Sequence, residues 1–502
     1  MSRICIIFYA CVPTLMPVCH YEQIGFAFKN AGHEVLMVNS RHSIPNKRIS
    51  EAICNFKPDL ILTYNHVIDE LIYKITDCPI VVLEADTFSD FSNKELIKKY
   101  VYKVFIAIFH KNVVNLIERQ IPFIGKDKII IFMNSTSLKP EVIPMDINIS
   151  FIGTLYQVPK NGLILNIVDN FNKTPYLHTA KNIFEKALYN FEAIEEADLA
   201  FLSCGRPELL NYLSTYTRQG ILDAIAPLGL HCYGHFPNLE KLAQFYDLFF
   251  CLKNTPVYTM AENQQIYNRS KISINCHFAH NIRQAEYSSY SWRVPDIMAT
   301  NSCLVSTECH ALDQDFGKWV KIPQFSNKVE AYEICEKLLK DDSWRNEIVR
   351  NSQIAIEEGG FTFDERVKEF EQLFNLKKQE NVNFKYLIDL EIIGDTNIEI
   401  VNNISLLKSN VDDIKVIHTV KEDLILENIS NPVLIPKPLE KSKFYYILYK
   451  IYTLNLETIF YVFFNLIRSI ATKIFRLSFK KIFLKLGLHH KLRELMYSYL
   501  GK

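Results

Sequence analysis

Glycine is scarce in this chain, with 15 among 502 residues, and its 19 prolines are scattered. That composition leaves little room for long disordered linkers. The twelve cysteines form no C-x-x-C pair, so neither a zinc site nor a disulfide framework is supported. Cys5, Cys276 and Cys303 lie in apolar strands, where cysteine serves as a small hydrophobe. No internal repeat or low-complexity tract occurs. The N-terminal MSRICIIFYACVP lacks a small-residue cleavage site and runs straight into a strand-helix pattern. It reads as the first β-strand of a cytoplasmic protein rather than as a signal peptide.

What is present is a folded chain of two or three domains, 48% hydrophobic and 22% charged. Its zero net charge conceals an asymmetry. Residues 441–502 carry twelve Lys or Arg against Glu457 and Glu494, leaving 44 basic and 54 acidic residues in the remainder. The basic tail predicts an anionic partner. Within it, Phe460, Phe463, Phe464, Ile467, Ile470, Ala471 and Ile474 trace one helical face, with Arg468, Lys473 and Arg476 largely opposite. Its longest clean apolar run is roughly ten residues, half of what a spanning helix needs. A cationic amphipathic helix of this kind suits an anionic membrane surface through 443–502; packing on its own domain or on a second copy of the chain is the alternative. Nucleic acid is not expected.

The body reads as α/β. In residues 1–143, apolar runs at 4–10, 34–39, 59–64, 79–84, 104–109 and 128–133 alternate with helical patterns. In the first helix, Ile24, Ala27, Phe28 and Ala31 share a face and Gly32 supplies the stop. A second series runs through 144–376, with strands at 147–156, 229–235, 271–276, 303–307 and 318–322, interrupted by a helical insertion over about 157–217. The helix Phe363 to Phe374 closes this second body. Two doubly wound sheets facing a cleft are predicted. Residues 377–440 read as a small α/β appendage.

The most informative stretch is Tyr267–Phe316. An apolar strand stops at Asn275, a loop rich in Ser and Tyr follows, and Arg293 and Asp296 then lie three residues apart before the strand CLVST. A hydroxyl-rich loop leading to a cation and a carboxylate suits a phosphorylated, ribose-bearing ligand. The alternative is an ordinary strand-loop-helix unit with a surface ion pair.

Set in order along the chain, these segments resemble a known family. AFKNAGHEVLMV (27–38), KPDLIL (57–62), IVVLEADTFSDF (80–91), ISFIGTLY (149–156), Arg218, CYGHF (232–236), IYNRSKISIN (266–275), SWRVPDIMATNSCLVST (291–307) and FTFDERVKEFEQLF (361–374) resemble the GT-B glycosyltransferases, in particular the CgeB-like spore-maturation family. The resemblance covers about 1–376. It implies an acceptor-side first domain, a donor-side second domain, and sugar transfer from a nucleotide sugar to a glycan, lipid-linked or protein acceptor. Gly153 and Thr154 would let backbone approach the donor diphosphate, and Arg218 or Arg293 would neutralise it. Tyr233, Gly234 and Asn275 would lie near the nucleotide, and Asp296 would bind the ribose. The family usually has Glu at the position of Asp296 and Gly at that of Asn301, and 157–217 is an insertion.

An inverting transfer needs a base for the acceptor hydroxyl. Asp86, just after the strand VVLE, is the first candidate and His20 the second; Glu84 lies in line with buried strand residues. A retaining transfer can proceed without such a base. No D-x-D motif is placed for a metal, so transfer without metal or other cofactor is expected. A sugar-nucleotide epimerase of the same fold, or a non-catalytic scaffold docking to membrane or partner, stays open beside the transferase.

Overall fold

The computed structural model describes residues 2–8, 19–39, 47–64, 70–84, 94–153, 155, 218–234, 245–253, 257, 259–277, 289–391 and 413–419. All belong to one compact unit, Met1–Pro432. Asp86, Thr154, the expected insertion over 157–217 and the basic tail over 441–502 lie outside the described residues.

The body is α/β, as the alternation predicts. β1 (Arg3–Phe8), β2 (Glu34–Asn39), β3 (Leu60–Tyr64), β4 (Ile80–Glu84), β5 (Val104–Ile108) and β6 (Ile129–Ile131) build a first sheet with order β2-β1-β3-β4-β5-β6, and every pairing is parallel. β7 (Ile147–Ile152), β8 (Leu230–Tyr233), β9 (Ser270–Asn275), β10 (Cys303–Thr307) and β11 (Gln324–Phe325) build a second, again parallel throughout, with order β8-β7-β9-β10-β11. Both sheets therefore place their first strand between the second and third. β3, β4 and β10 are buried along their whole length, because helices cover both faces of a parallel sheet. Their Val, Ile and Leu runs follow from that double coverage.

α1 (Cys19–Asn30) returns from β1 to β2 and buries Ile24, Ala27 and Phe28 in the first sheet's core. Gly32, with φ +92°, ends the turn in the left-handed region where a side chain is disfavoured.

Two features differ from the sequence reading. Within 377–440 the described strands join the first sheet: β12 (Phe384–Glu391) pairs with β2 and β13 (Asp413–Thr419) pairs with β12, extending it to eight strands. The helix Phe363–Phe374 likewise belongs to the first body. Phe363, Val367 and Phe370 pack with Ile4, Ile6, Phe8 and Phe28, and Glu371 pairs with buried His33 at 3.0 Å. The chain thus crosses between the sheets twice, and the crossings are hydrogen-bonded side by side. Thr136 N–H donates to the Phe361 carbonyl at 3.1 Å, and Phe363 N–H to the Thr136 carbonyl at 3.2 Å. An open edge at β2 is the physical reason: β12 satisfies its unpaired backbone groups.

The strand expected over 318–322 forms instead at Gln324–Phe325. The amides of Trp319 and Val320 bond back to the Phe316 carbonyl at 2.9 and 3.0 Å, closing the end of the preceding helix, so they are not offered to the sheet.

Phe384 anchors the eight-stranded extension, 2% exposed and stacked on Phe26 at 4.9 Å. Phe384→Ala is expected to lower stability by ~3 kcal/mol, read from the urea midpoint at constant m-value.

Candidate active site at the meeting of two sheets

An open parallel sheet binds ligands beyond the carboxyl ends of its strands, where the strand order reverses. In the second sheet this place is the crevice between β7 and β9. Gly153 follows β7 directly, Asn275 ends β9, and Tyr233 and Gly234 end the neighbouring β8.

The backbone of Gly153 lies against that of Gly234. Gly153 N–H donates to the Tyr233 carbonyl at 2.9 Å, so it points into the strand end rather than toward a ligand. Gly234 has φ +132°, and a Cβ there would collide with the Gly153 carbonyl. A Cβ on Gly153 would lie 2.8 Å from the Phe151 ring and 3.1 Å from Arg293 Nη2. The contribution of Gly153 is therefore space for a guanidinium rather than a free donor. Tyr233 itself is half-buried, its hydroxyl 3.3 Å from His231 Nδ1, and burial raises its pKa.

Arg293 opens the helix Arg293–Met298. Its Nη1 donates to Asn275 Oδ1 at 3.0 Å, and Ser291 Oγ donates to the same oxygen at 2.8 Å. The amide of fully buried Asn275 is fixed from its other end by Ser306 Oγ at 3.0 Å, with His277 Nε2 3.1 Å away. Arg218, 2% exposed, donates from Nη2 to the Cys276 carbonyl at 3.1 Å. Gly153, Tyr233, Gly234, Asn275, Arg218 and Arg293 thus gather at one switch point, although they span 141 positions of sequence.

Asp296 faces another way. Its buried Oδ1 accepts from Thr136 Oγ1 at 2.6 Å and from Gln23 Nε2 at 3.0 Å, joining the second sheet to α1 and to the first crossing. Burial raises its pKa to about 6, against the opposing hydrogen bonds and Arg293. Neighbouring Glu22 accepts from Met260 N–H at 2.7 Å, at the start of the helix Met260–Arg269. Burial, with a smaller push from Glu262, raises Glu22 to about 7, although the Met260 bond works against it.

His20 lies on the same seam, stacked on Trp292 at 4.6 Å and 22°. Burial, and then the charge of Arg293, lowers its pKa to about 3. The ring is therefore neutral near pH 7 and a weak proton acceptor there. Tyr64 at the end of β3 and Phe109 just after β5 also touch Trp292, at 6.1 and 4.6 Å. Further along, His110 pairs with Asp315 at 3.1 Å, and Tyr290 donates to the same carboxylate at 2.9 Å. The carboxyl ends of the two sheets consequently face each other across a buried seam. Glu84 is fully buried at the end of β4.

Sequence reasoning missed Gln23, Thr136, Glu22 and Phe151. Gln23 and Glu22 were detectable only as polar residues beside the apolar face of α1. Phe151 looked like any buried strand residue.

No protein-family model matches the chain, and no curated protein matches it. Similar solved structures include T4 phage β-glucosyltransferase, with 12% identity over 74% of this chain and 100% of that chain and a TM-score of 0.41. AviGT4, a glycosyltransferase involved in avilamycin A biosynthesis, has 8% identity over 75% and 97%, TM-score 0.41. Anabaena Alr3699/HepE in complex with UDP and glucose has 8% identity over 74% and 100%, TM-score 0.44. Scores this low do not bear on function, and the architecture rests on the strand order above.

A carboxyl group with a raised folded-state pKa stabilises the fold fully below its ordinary pKa and loses that contribution as pH rises through the folded value. For Asp296 and Glu22 the loss spans roughly pH 4 to 7. Stability should therefore fall across that range. Glu22→Gln keeps an acceptor for Met260 N–H and should gain ~2 kcal/mol relative to the wild type at pH 8, with little change at pH 4, measured by urea unfolding at both pH values.

Proposed function

We propose that this protein is a GT-B-type glycosyltransferase that moves a sugar from a nucleotide-sugar donor to a glycan, lipid-linked or protein acceptor in the building of a surface glycan such as lipopolysaccharide or capsule. The observation that carries the reading is the cluster of Gly153, Asn275, Arg218 and Arg293 at the β7/β9 switch point, facing a second doubly wound sheet across a seam. A donor diphosphate beside Arg293 would meet a planar bidentate cation, oriented by Asn275 and backed by the buried charge of Arg218. The same charge would stabilise the departing nucleoside diphosphate as the bond to the sugar breaks, and the expected transfer needs no metal.

On the acceptor side, Asp86 is the favoured base for an inverting transfer. His20 is the weaker choice, because its lowered pKa makes it a poor proton acceptor at neutral pH. Thr154 and Tyr233 would border the donor. Asp296 would reach a ribose only by releasing Gln23 and Thr136, so its engagement in the seam favours the scaffold alternative more than any other feature. The basic tail over 443–502 would hold the enzyme against an anionic membrane surface from the cytoplasmic side; among the described residues no helix is long and apolar enough to cross a membrane.

Calorimetry with UDP- and GDP-sugars tests the reading directly. Binding of one of them is expected, weakened at least tenfold by Arg293→Ala. A folded sample that binds none would refute the transferase. Deleting 443–502 should abolish co-sedimentation with phosphatidylserine-containing liposomes, and unchanged sedimentation would refute the membrane role.

A further inference from the structure

Phe151 is fully buried near the end of β7, yet its surroundings are not only apolar. The guanidinium carbon of Arg293 lies 5.5 Å from the ring centroid and that of Arg218 lies 5.7 Å from it. Both distances fall within the range in which a cation is attracted to an aromatic face. The two arginines reach the ring from different parts of the chain. Arg218 lies in the helical stretch over 218–225, whereas Arg293 opens the helix Arg293–Met298. Two guanidinium groups sharing one ring repel each other, and the negative face of the ring offsets part of that repulsion in a dry site. Each is also tied to a neutral acceptor, Arg218 to the Cys276 carbonyl and Arg293 to Asn275 Oδ1.

The seat of the ring is tailored. Its para carbon is the atom nearest to where a Cβ on Gly153 would be, at 2.8 Å, so Gly153 admits the ring and Arg293 together. A tyrosine hydroxyl at that carbon would project into the space Gly153 leaves. Mere filling of the core asks only for apolar volume, which leucine or methionine also supplies.

We infer that Phe151 is a positioning residue, whose ring holds the guanidinium groups of Arg218 and Arg293 together at the end of β7 and so gives the β7/β9 crevice its preference for a diphosphate over a monophosphate. The inference rests on the nucleotide-sugar reading above. The ring would act on ligand affinity through the arginines, without touching the ligand.

Full-length protein is titrated calorimetrically with UDP and UMP, and with GDP and GMP, for the wild type, Phe151→Leu, Arg293→Gln and the double variant. Circular dichroism confirms folding, and Phe151→Met replaces Phe151→Leu should the latter not fold. The wild type is expected to prefer the diphosphate. Phe151→Leu should lose about tenfold in diphosphate affinity and no more than about threefold in monophosphate affinity. The double variant should lose less than the product of the two single losses, since part of the ring's effect runs through Arg293 and the remainder through Arg218. Equal losses for the two nucleotides, multiplying losses in the double variant, or an unchanged diphosphate affinity would each overturn the role of Phe151 while leaving the nucleotide reading intact. A wild type that binds none of the four nucleotides would overturn that reading, and this inference with it.

Discussion

The carboxylate of Asp296 accepting from Gln23 and Thr136 is the contact on which the arrangement of the two sheets depends. It unites α1, the first crossing and the helix carrying Arg293 in one buried polar cluster. Gln23 extends that cluster, because its Oε1 also accepts from Ser137 N–H at 2.5 Å. A buried carboxylate is costly unless its hydrogen bonds are made, and these donors come from the opposite body. Beside this cluster Trp292 stacks on His20, and Arg293, on the same helix as Asp296, lies beside the β7/β9 crevice.

The polarity of the seam follows from the topology. Parallel strands buried on both faces admit a polar side chain along their length only where it is paired, as Ser150 is with Ser273 at 2.8 Å, so most such groups collect at the strand ends and beyond. Asn275, Tyr64, His110 and Thr136 all occupy such places. Because the carboxyl ends of the two sheets meet, His110 and Thr136 find their partners across the boundary, in Asp315 and Asp296. The same closeness desolvates Glu22 and Asp296 and raises both pKa values, coupling the packing of the bodies to protonation.

Much of the fold was legible in the amino-acid order. Val- and Ile-rich runs alternating with helical periods announce parallel sheets, and nearly every predicted strand forms. The exceptions have local causes. At 318–322 the helix-ending bonds of Trp319 and Val320 remove the amides a strand would need. At 377–440 periodicity identifies strands but carries no information about which sheet edge they join, and β2 supplies that edge.

The candidate site divides the same way. Local order by itself determined that 267–316 holds a strand and a helix bearing Arg293 and Asp296, because side-chain periodicity is a property of neighbouring residues. Only the tertiary structure decided that Arg293 points to the crevice and Asp296 to α1. It also decided that Gly153 provides space rather than a free amide, and that Phe151 carries two guanidinium groups. Those outcomes depend on contacts between residues 18 to 273 positions apart, where direction and burial are set by packing and leave no periodic trace in the chain.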